Sequence, residues 1–235
     1  MPLEKSLSFL HQVPILDGLD DAELAAFGRD LSRRTLEGGE TLFYQGDAGN
    51  AVYIVGSGSV RIYVHAEEGQ EVSVVLYGAG DLFGEMSLLD QLPRSATAEA
   101  IEDTVLWVMG EDAFRRHLQE DNQLALNLML TLSTRLRETN EAIEALASLD
   151  VPRRIAKRLL SLALRQGIQT DRGLRITTRL TQTALASLIS ASRESTNRAL
   201  RSLQRKGWID MVDGYIVILE PGELSRLVGG QDTWW

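Results

Sequence analysis

One segment decides how the whole chain is interpreted: Asp81-Leu82-Phe83-Gly84-Glu85-Met86-Ser87-Leu88-Leu89-Asp90-Gln91-Leu92-Pro93-Arg94-Ser95-Ala96-Thr97. The Gly84-Glu85 pair can open a short helix, and a compact turn then leads to Arg94 and Ser95. Backbone N–H groups at the start of a helix point toward an anion. Arg94 adds a guanidinium fork that matches phosphate oxygens, and Ser95 adds a hydroxyl. The segment therefore predicts a phosphate-binding site.

The carboxylate of Glu85 gives the second half of this prediction. Because it is negative itself, it should face away from the phosphate and accept a hydrogen bond from a ribose hydroxyl. Gly84 and Met86 flank it, and a side chain at Gly84 would block the approach of the phosphate. A fixed cation, backbone donors and a sugar-binding carboxylate together indicate a nucleotide with a single internal negative charge.

The same residues resemble a known family. Gly84–Asp90 followed by Pro93–Thr97 resembles the phosphate-binding cassette of cyclic-nucleotide-binding domains, and Leu180–Arg205 resembles the helix-turn-helix of the bacterial Crp–Fnr regulators. The similarity extends from about Leu10 to about Glu220, with both motifs in the family's order. It implies an α+β chain with an N-terminal jelly-roll β-barrel that binds a cyclic nucleotide, a long dimerisation helix and a C-terminal winged helix-turn-helix domain.

The expected domain boundaries follow from this order. We predict a barrel domain over residues 1–121, a dimerisation helix and hinge over 122–150, and a DNA-binding domain over 151–235. Alternating apolar stretches between turn signals predict short strands; they are Thr41–Tyr44, Ala51–Val55, Ser59–His65, Glu71–Tyr77 and Ala98–Met109. Before them, helices are predicted over Leu3–Val13 and after Asp20, which can form a capping box with Glu23.

A long helix is predicted from about Asp112 or Asn122 to Leu149. Seven of its residues recur at alternating spacings of four and three: Ala125, Met129, Leu132, Leu136, Thr139, Ile143 and Leu146. This repeat favours a parallel two-stranded coiled coil over a single helix laid on the barrel. The polar Thr139 interrupts the seam, with Asn140 beside it. The resemblance aligns this pair with a Thr-Ser pair that contacts the adenine, one residue from each subunit.

The charges are segregated along the chain. Residues 1–150 hold 10 Lys/Arg and 26 Asp/Glu, a net charge of −16, whereas residues 151–206 hold 13 Lys/Arg and two Asp/Glu, a net charge of +11. A compact basic block within an acidic chain is typical of a DNA-binding module.

Within this basic block, Thr181–Ser190 and Ser192–Lys206 are predicted to form two packed helices. Arg193, Glu194, Asn197 and Arg198 remain for the outer face near the start of the second helix, where a recognition helix contacts base edges. The resemblance implies that Arg193, Glu194 and Arg198 read a GTGA-like half-site. The phosphate contacts expected around them are Thr181, Gln182, Ser195 and Lys206, and Ser192 is a further expected DNA-binding residue. The turn carries Ser190 where the family often has glycine, and residues 208–218 predict a closing hairpin.

The composition excludes several kinds of site. The sequence has no cysteine, which rules out disulfides and Cys-ligated iron–sulfur clusters. His11, His65 and His117 have no metal-ligand spacing, so no metal is expected. The sequence has no apolar run of about 18 residues and no signal-peptide pattern, and a cytoplasmic location is expected. It also lacks paired carboxylates and a nucleophile elbow, so an enzyme is not expected.

Together these patterns predict a homodimeric transcription regulator that binds double-stranded DNA. The resemblance implies that the DNA site is a palindrome of the GTGA type and that RNA polymerase is a partner. The resemblance implies cyclic AMP as an allosteric ligand rather than a catalytic cofactor, with cyclic GMP as the other candidate. Two alternatives stay open. One is a Crp–Fnr-type regulator that uses another effector or none, and the other is a cyclic-nucleotide module that acts through protein contacts.

Overall fold

Two four-stranded antiparallel sheets form the first part of the chain in the computed structural model, which describes residues 8–65 and 71–229. Their orders are β1-β8-β3-β6 and β2-β7-β4-β5. The strands are β1 (Ser32–Leu36), β2 (Thr41–Phe43), β3 (Ala51–Ser57), β4 (Val60–His65), β5 (Glu71–Tyr77), β6 (Leu82–Phe83), β7 (Thr97–Ala100) and β8 (Thr104–Gly110).

The side chains of β3 show why the sheets pack as they do. All five residues from Ala51 to Val55 are buried, because alternate side chains enter two different cores. Tyr53 and Val55 lie with Phe83 and Leu106 in one core. Val52 and Ile54 lie in the other core, against helices outside the sheet.

A 3₁₀-helix (Pro14–Leu16) and four α-helices accompany these strands among the described residues: α1 (Asp21–Arg29), α2 (Met86–Asp90), α3 (Glu111–Glu120) and α4 (Asn122–Ser148). Asp20 and Glu23 form the predicted capping box, which is thereby confirmed. The alternative start of the long helix at Asp112 was wrong, because Asp121 lies between α3 and α4. Its Oδ1 accepts hydrogen bonds from the backbone N–H groups of Gln123 and Leu124 and so caps a new helix.

The strand predictions were mostly correct, with one error and two omissions. The single strand predicted over Ala98–Met109 is in fact β7 and β8, separated by a bend at residues 101–103. The omitted strands β1 and β6 lie at the two edges of one sheet. β1 has four exposed residues out of five, so no alternating apolar pattern marks it. The first five residues of the helix predicted over Leu3–Val13 lie outside the described residues, and residues 8–10 are helical.

The second part of the chain contains four further helices around a small sheet ordered β11-β12-β10-β9. The elements are α5 (Val151–Gln166), β9 (Gly167–Thr170), β10 (Gly173–Ile176), α6 (Gln182–Leu188), α7 (Arg193–Arg205), β11 (Ile209–Val212), β12 (Tyr215–Ile218) and α8 (Pro221–Leu227). The predicted break after α4 is confirmed, although Pro152 belongs to the first turn of α5. Helix α8 was not predicted. The tail beyond Gly229 lies outside the described residues.

The chain forms two compact units, residues 1–64 with 75–138 and residues 65–74 with 139–235. A β-rich domain, a long helix and a C-terminal helix-turn-helix confirm the predicted α+β class. The domain boundaries at residues 121 and 150 stay predictions.

A charged cluster joins α1 to α3. The Oδ2 atom of Asp30 lies 2.6 Å from Arg116 Nη2 and 2.8 Å from His117 Nε2. Burial alone would raise the pKa of Asp30, but the hydrogen bond with His117 and the charge of Arg116 outweigh it and hold the pKa below its ordinary value. Ionised Asp30 therefore stabilises the fold at neutral pH, and this contribution is lost as the pH falls through the lowered pKa.

We expect Asp30→Asn to lower the free energy of unfolding at pH 7 by about 1 kcal/mol, a typical value for a hydrogen bond with a charged partner at a partly exposed site. The difference from the wild type should shrink as the pH falls below about 4, the ordinary pKa of an aspartate, and should disappear once the pH is below the lowered pKa of Asp30 in the folded protein. Urea denaturation at pH 7 and at pH 3 measures both values. An equal difference at the two pH values would contradict the assignment.

Candidate functional site

A tight backbone path builds the first candidate site. Strand β6 leads into Gly84, whose φ of +82° places it in the left-handed region that favours glycine. Helix α2 follows for five residues and ends at Gln91, which also has a positive φ of 60°. Asp90 Oδ1 then accepts a hydrogen bond from Leu92 N at 3.0 Å. The short helix and its turn bring Arg94 back beside Gly84.

The side chain of Arg94 lies inside the barrel and is only 4% exposed. Its Nη1 donates to Gly84 O at 2.6 Å and to Ser87 Oγ at 2.9 Å, and its Nη2 donates to Ala51 O at 2.8 Å. The guanidinium lies 4.3 Å from the ring centroid of Phe43. Backbone oxygens and an aromatic face thus hold the positive charge in place.

Burial lowers the pKa of Arg94 from its ordinary value, while the neighbouring Tyr53, Glu85 and Asp47 act in the opposite direction. The guanidinium stays protonated, because arginine does not lose its proton in proteins. Its Nε is buried and has no hydrogen-bond partner among the residues that the structure describes. The site therefore contains a fixed cation with one unused donor.

Glu85 carries the complementary unused acceptor. It is 2% exposed, and its Oε1 accepts a hydrogen bond from Arg135 Nη1 at 2.8 Å. Its Oε2 is buried without a partner in the described part of the chain. Arg135 also donates to Leu82 O and lies 4.7 Å from the ring centroid of Tyr77. One face of the carboxylate is thus fixed by α4, while the other can accept a further hydrogen bond.

Sequence reasoning missed Arg135. It lies 50 residues from Glu85 and belongs to the helix that was interpreted as a dimer seam with a base-contacting pair at Thr139 and Asn140. A signal was nevertheless present, because Arg135 precedes Thr139 by four residues and the two therefore share a face of the helix.

Gly84 offers a direct test of this geometry. A Cβ atom there would lie 2.9 Å from Arg94 Nη1 and 3.1 Å from Tyr53 Cδ2, whereas a Cβ atom at Gly46, which has a φ of +91°, would meet nothing within 4 Å. We expect Gly46→Ala to cost about 1 kcal/mol of stability from backbone strain alone. Gly84→Ala should cost at least about 1 kcal/mol more, because Arg94 must move. Urea denaturation of both variants measures the difference, and equal costs would contradict the role of Gly84.

The other predicted ligand contacts fall into two groups. Met86 and Ser95 are exposed and adjoin the same turn, with Ser95 Oγ at 3.8 Å from Met86 Sδ. The structure therefore brings Gly84, Glu85 and Arg94 together with these two residues. Thr139 and Asn140 are exposed on α4 and belong to the second compact unit, so their contact with a base stays a prediction.

The second candidate site is the helix pair α6 and α7. Two of the predicted DNA-binding residues are helix caps, because Thr181 Oγ1 accepts from Ala184 N and Ser192 Oγ accepts from Ser195 N. Between the helices, Ser190 adopts a positive φ of 48°. The turn thus uses a glycine-like conformation although the residue is serine.

The outer face of α7 is strongly charged. Arg193, Glu194 and Arg198 are all exposed, and Arg198 Nη2 lies 2.7 Å from Glu194 Oε1. Behind them, Thr196, Ala199, Leu200 and Leu203 are buried and hold the helix in its domain. Gln182 is exposed at the start of α6. The three predicted base-reading side chains are therefore accessible on a rigid support.

Comparison with known proteins identifies the family of each of the two parts of the chain. The cyclic nucleotide-binding domain family matches residues 33–121, and the Crp-like helix-turn-helix domain family matches residues 153–227. A CRP-like cAMP-activated global transcriptional regulator of Mycobacterium tuberculosis is 36% identical over 92% of this chain and 97% of its own length. The chain belongs to the Crp–Fnr family.

Two further members of the family are similar. The cyclic AMP receptor protein of Thermus thermophilus is 36% identical, with the alignment covering 92% of this chain and 97% of that protein. The solved structure of the c-di-GMP responsive global regulator CLP of Xanthomonas campestris superposes with a TM-score of 0.70 at 25% identity, covering 85% of this chain and 99% of that one. These Crp–Fnr relatives are transcription regulators, and neither matching family is catalytic. Within residues 8–65 and 71–229, no helix is long and apolar enough to cross a membrane.

Proposed function

We propose that this protein is a homodimeric, sequence-specific regulator of transcription that is controlled by cyclic AMP bound at the Gly84–Ser95 cassette. One observation carries the proposal for the ligand. A buried carboxylate oxygen of Glu85 and the buried Nε of Arg94 both lack partners among the described residues, and both belong to one site. A ribose hydroxyl would satisfy the first, and a phosphate oxygen would satisfy the second.

The charges of the site favour a ligand with one negative charge. Arg94 and Arg135 supply two positive charges near Glu85, and Asp47 adds a second carboxylate beside Arg94. A cyclic mononucleotide would place its one negative charge at Arg94, and its hydroxyl would relieve a buried oxygen that costs about 1–3 kcal/mol while unpaired. Cyclic AMP is preferred over cyclic GMP because the named relatives are cAMP-activated regulators or receptors.

The base of the nucleotide is assigned to Thr139 and Asn140, one from each subunit, as in the family. Arg135 lies one helical turn before Thr139 and is hydrogen-bonded to Glu85. The affinity of a ligand that forms hydrogen bonds with both Glu85 and Thr139 therefore depends on the conformation of α4. Such a difference in affinity shifts the population of conformations that the chain adopts after the break at Asp150.

Dimerisation is assigned to the apolar stripe on α4. Met129, Leu136 and Ile143 recur every seven residues and are 60%, 63% and 61% exposed in the single chain. Large apolar side chains in a regular row on a long helix favour a partner helix. A second copy of α4 is the partner that a seven-residue repeat fits.

For the DNA, we assign Arg193, Glu194 and Arg198 to the base pairs of a GTGA-type half-site. Arginine is the usual reader of guanine, and a carboxylate can accept from the cytosine amino group. Two recognition helices held about 34 Å apart would enter successive major grooves of a palindromic site. RNA polymerase is the expected partner of a regulator bound there.

The proposal is tested by measuring fluorescence anisotropy of a palindromic GTGA-type duplex with increasing protein, with and without cyclic AMP, at one fixed salt concentration. We expect cyclic AMP to change the Kd for this duplex and to leave the Kd for a scrambled duplex nearly unchanged. The same titration with cyclic GMP should give a smaller change. An equal Kd for the palindrome with and without cyclic AMP would contradict the proposed control of DNA binding by cyclic AMP.

A second candidate is a regulator of the same type with another effector. The observation in its favour is that both Nη atoms of Arg94 already donate hydrogen bonds to protein oxygens. The two donors that would bind a phosphate are therefore already paired within the protein. The likeness to CLP, which is described as c-di-GMP responsive, points to one such effector. Calorimetry with cyclic AMP, cyclic GMP and cyclic di-GMP decides between the two, because heat with cyclic di-GMP alone, or with none of them, would favour this candidate.

A further inference from the structure

Methionine is the only sulfur-containing residue type in this chain, since the sequence has five methionines and no cysteine. The methionines among the described residues differ in exposure. Met109 is 0% exposed within a hydrophobic core, whereas Met86, Met129 and Met211 are 49%, 60% and 41% exposed in the single chain. An oxidant in solution therefore reaches these three side chains and not Met109, because oxidation of a methionine follows its exposure.

Met86 differs from the other exposed methionines in its surroundings. Met129 lies on the stripe that a second copy of α4 would cover, and Met211 lines a small cavity beside β12. Met86 follows Glu85 in the cassette, and its Sδ accepts a hydrogen bond from Ser95 Oγ at 3.8 Å. Ser95 is exposed and carries the hydroxyl that the sequence motif assigns to the phosphate. A chemical change at this sulfur therefore acts on a donor that the ligand needs.

The hydrogen bond from Ser95 to Met86 is weak while the sulfur is a thioether, because thioether sulfur is a weak acceptor. Oxidation converts the thioether to a sulfoxide, which is polar and has an oxygen with a partial negative charge. This stronger acceptor would hold the Ser95 hydroxyl, and its partial charge would lie beside the position assigned to the phosphate. Both effects oppose the binding of an anion.

We propose that Met86 is a reversible oxidation site, at which hydrogen peroxide lowers the affinity of the cassette for its cyclic nucleotide. The inference rests on the proposed function and adds a redox control to it. The Sδ of Met86 attacks one oxygen of the peroxide, and the S–O bond forms as the O–O bond breaks. The other oxygen leaves as hydroxide and takes the proton of the new S–OH group, which gives sulfoxide and water. Sulfur loses two electrons and the peroxide gains them, and a thiol-dependent sulfoxide reductase reverses the change.

The experiment compares wild type with Met86→Leu before and after treatment with hydrogen peroxide. Peptide mass spectrometry follows each methionine, calorimetry measures the Kd for cyclic AMP, and circular dichroism checks that the treated proteins remain folded. Leucine has a similar volume but cannot be oxidised, and Met129 and Met211 are present in both proteins, so the comparison isolates Met86.

We expect Met86 to be converted to sulfoxide while Met109 stays reduced. The Kd of the treated wild type should rise about tenfold, the effect of losing one hydrogen bond to a charged group. The Kd of Met86→Leu should be the same before and after treatment. A sulfoxide reductase with a thiol should restore the original Kd of the wild type.

Ser95→Ala tests the mechanism, because it removes the hydroxyl that the sulfoxide oxygen would hold. Its Kd for cyclic AMP should be higher than that of the wild type before treatment, and treatment should raise it by a smaller factor. An equal factor in the two proteins would contradict the role of Ser95.

Three results would overturn the inference while leaving the proposed function intact. They are an unchanged Kd in wild type whose Met86 is fully converted, an equal rise in Met86→Leu, and a Met86 that stays reduced while Met211 is oxidised. If the untreated wild type gives no heat with cyclic AMP or cyclic GMP, the proposed control by a cyclic nucleotide itself fails. The two failures are therefore separate results.

Discussion

Replacing Arg94 with alanine is expected to raise the Kd for cyclic AMP by at least about 100-fold, since hydrogen bonds to charged groups contribute about 1.5–3 kcal/mol each and a phosphate would lose both the charge and its donors. The variant also leaves Gly84 O and Ala51 O without the donor that reaches them now. A lower melting temperature should therefore accompany the loss of binding. Calorimetric titration with cyclic AMP measures the first effect and thermal unfolding the second.

Arg94→Lys is the matched variant. Lysine keeps the positive charge, but its compact ammonium cannot reproduce the planar fork that contacts Gly84, Ser87 and Ala51 together. We expect weakened rather than abolished binding, which separates the contribution of charge from that of geometry. An unchanged Kd for cyclic AMP in a folded Arg94→Ala protein would contradict the assignment of the phosphate to this residue.

The second large effect is expected at the apolar stripe of α4. Placing glutamate at both Leu136 and Ile143 puts like charges along the proposed seam, where two copies of the helix would meet. The protein should become monomeric. Specific DNA binding should then weaken by about 100-fold or more, because the two half-sites must be bound by two separate monomers rather than by two linked subunits. Analytical ultracentrifugation measures the mass, and fluorescence anisotropy with the palindromic duplex measures the affinity.

Thr134→Glu is the control for this experiment. Thr134 is exposed and lies about 180° around the helix from Ile143, so the same charge is introduced on the face opposite the stripe. It should leave both the mass and the affinity unchanged. A Leu136→Glu, Ile143→Glu protein that remains dimeric and binds DNA normally would exclude α4 as the dimer interface.

Some features of this protein are encoded within a few neighbouring residues, and these were predictable. The capping box of Asp20 and Glu23 depends on contacts three residues apart. The break before α5 follows from the capping Asp150 and the nearby Pro152. The cassette places Gly84 and Arg94 only ten residues apart, so a short helix and a turn suffice to join them.

Other features depend on pairings between distant segments, and these were not predictable. The edge strand β1 has no apolar alternation, and only its pairing with β8 makes it a strand. The bend at residues 101–103 follows from β7 and β8 joining different sheets. Local strand propensity does not identify the strand with which a segment pairs, because the packing of the whole domain selects that partner.

The sequence by itself determined the two motifs, the seven-residue repeat and the segregation of charge, because each is a property of residue types at fixed spacings. Only the tertiary structure decided that Arg94 turns inward onto Ala51 O and that Arg135 binds Glu85 from 50 residues away. The physical reason is burial. A charge withdrawn from water must find hydrogen-bond partners wherever the fold supplies them, and the fold supplies them from segments that are far apart in the chain.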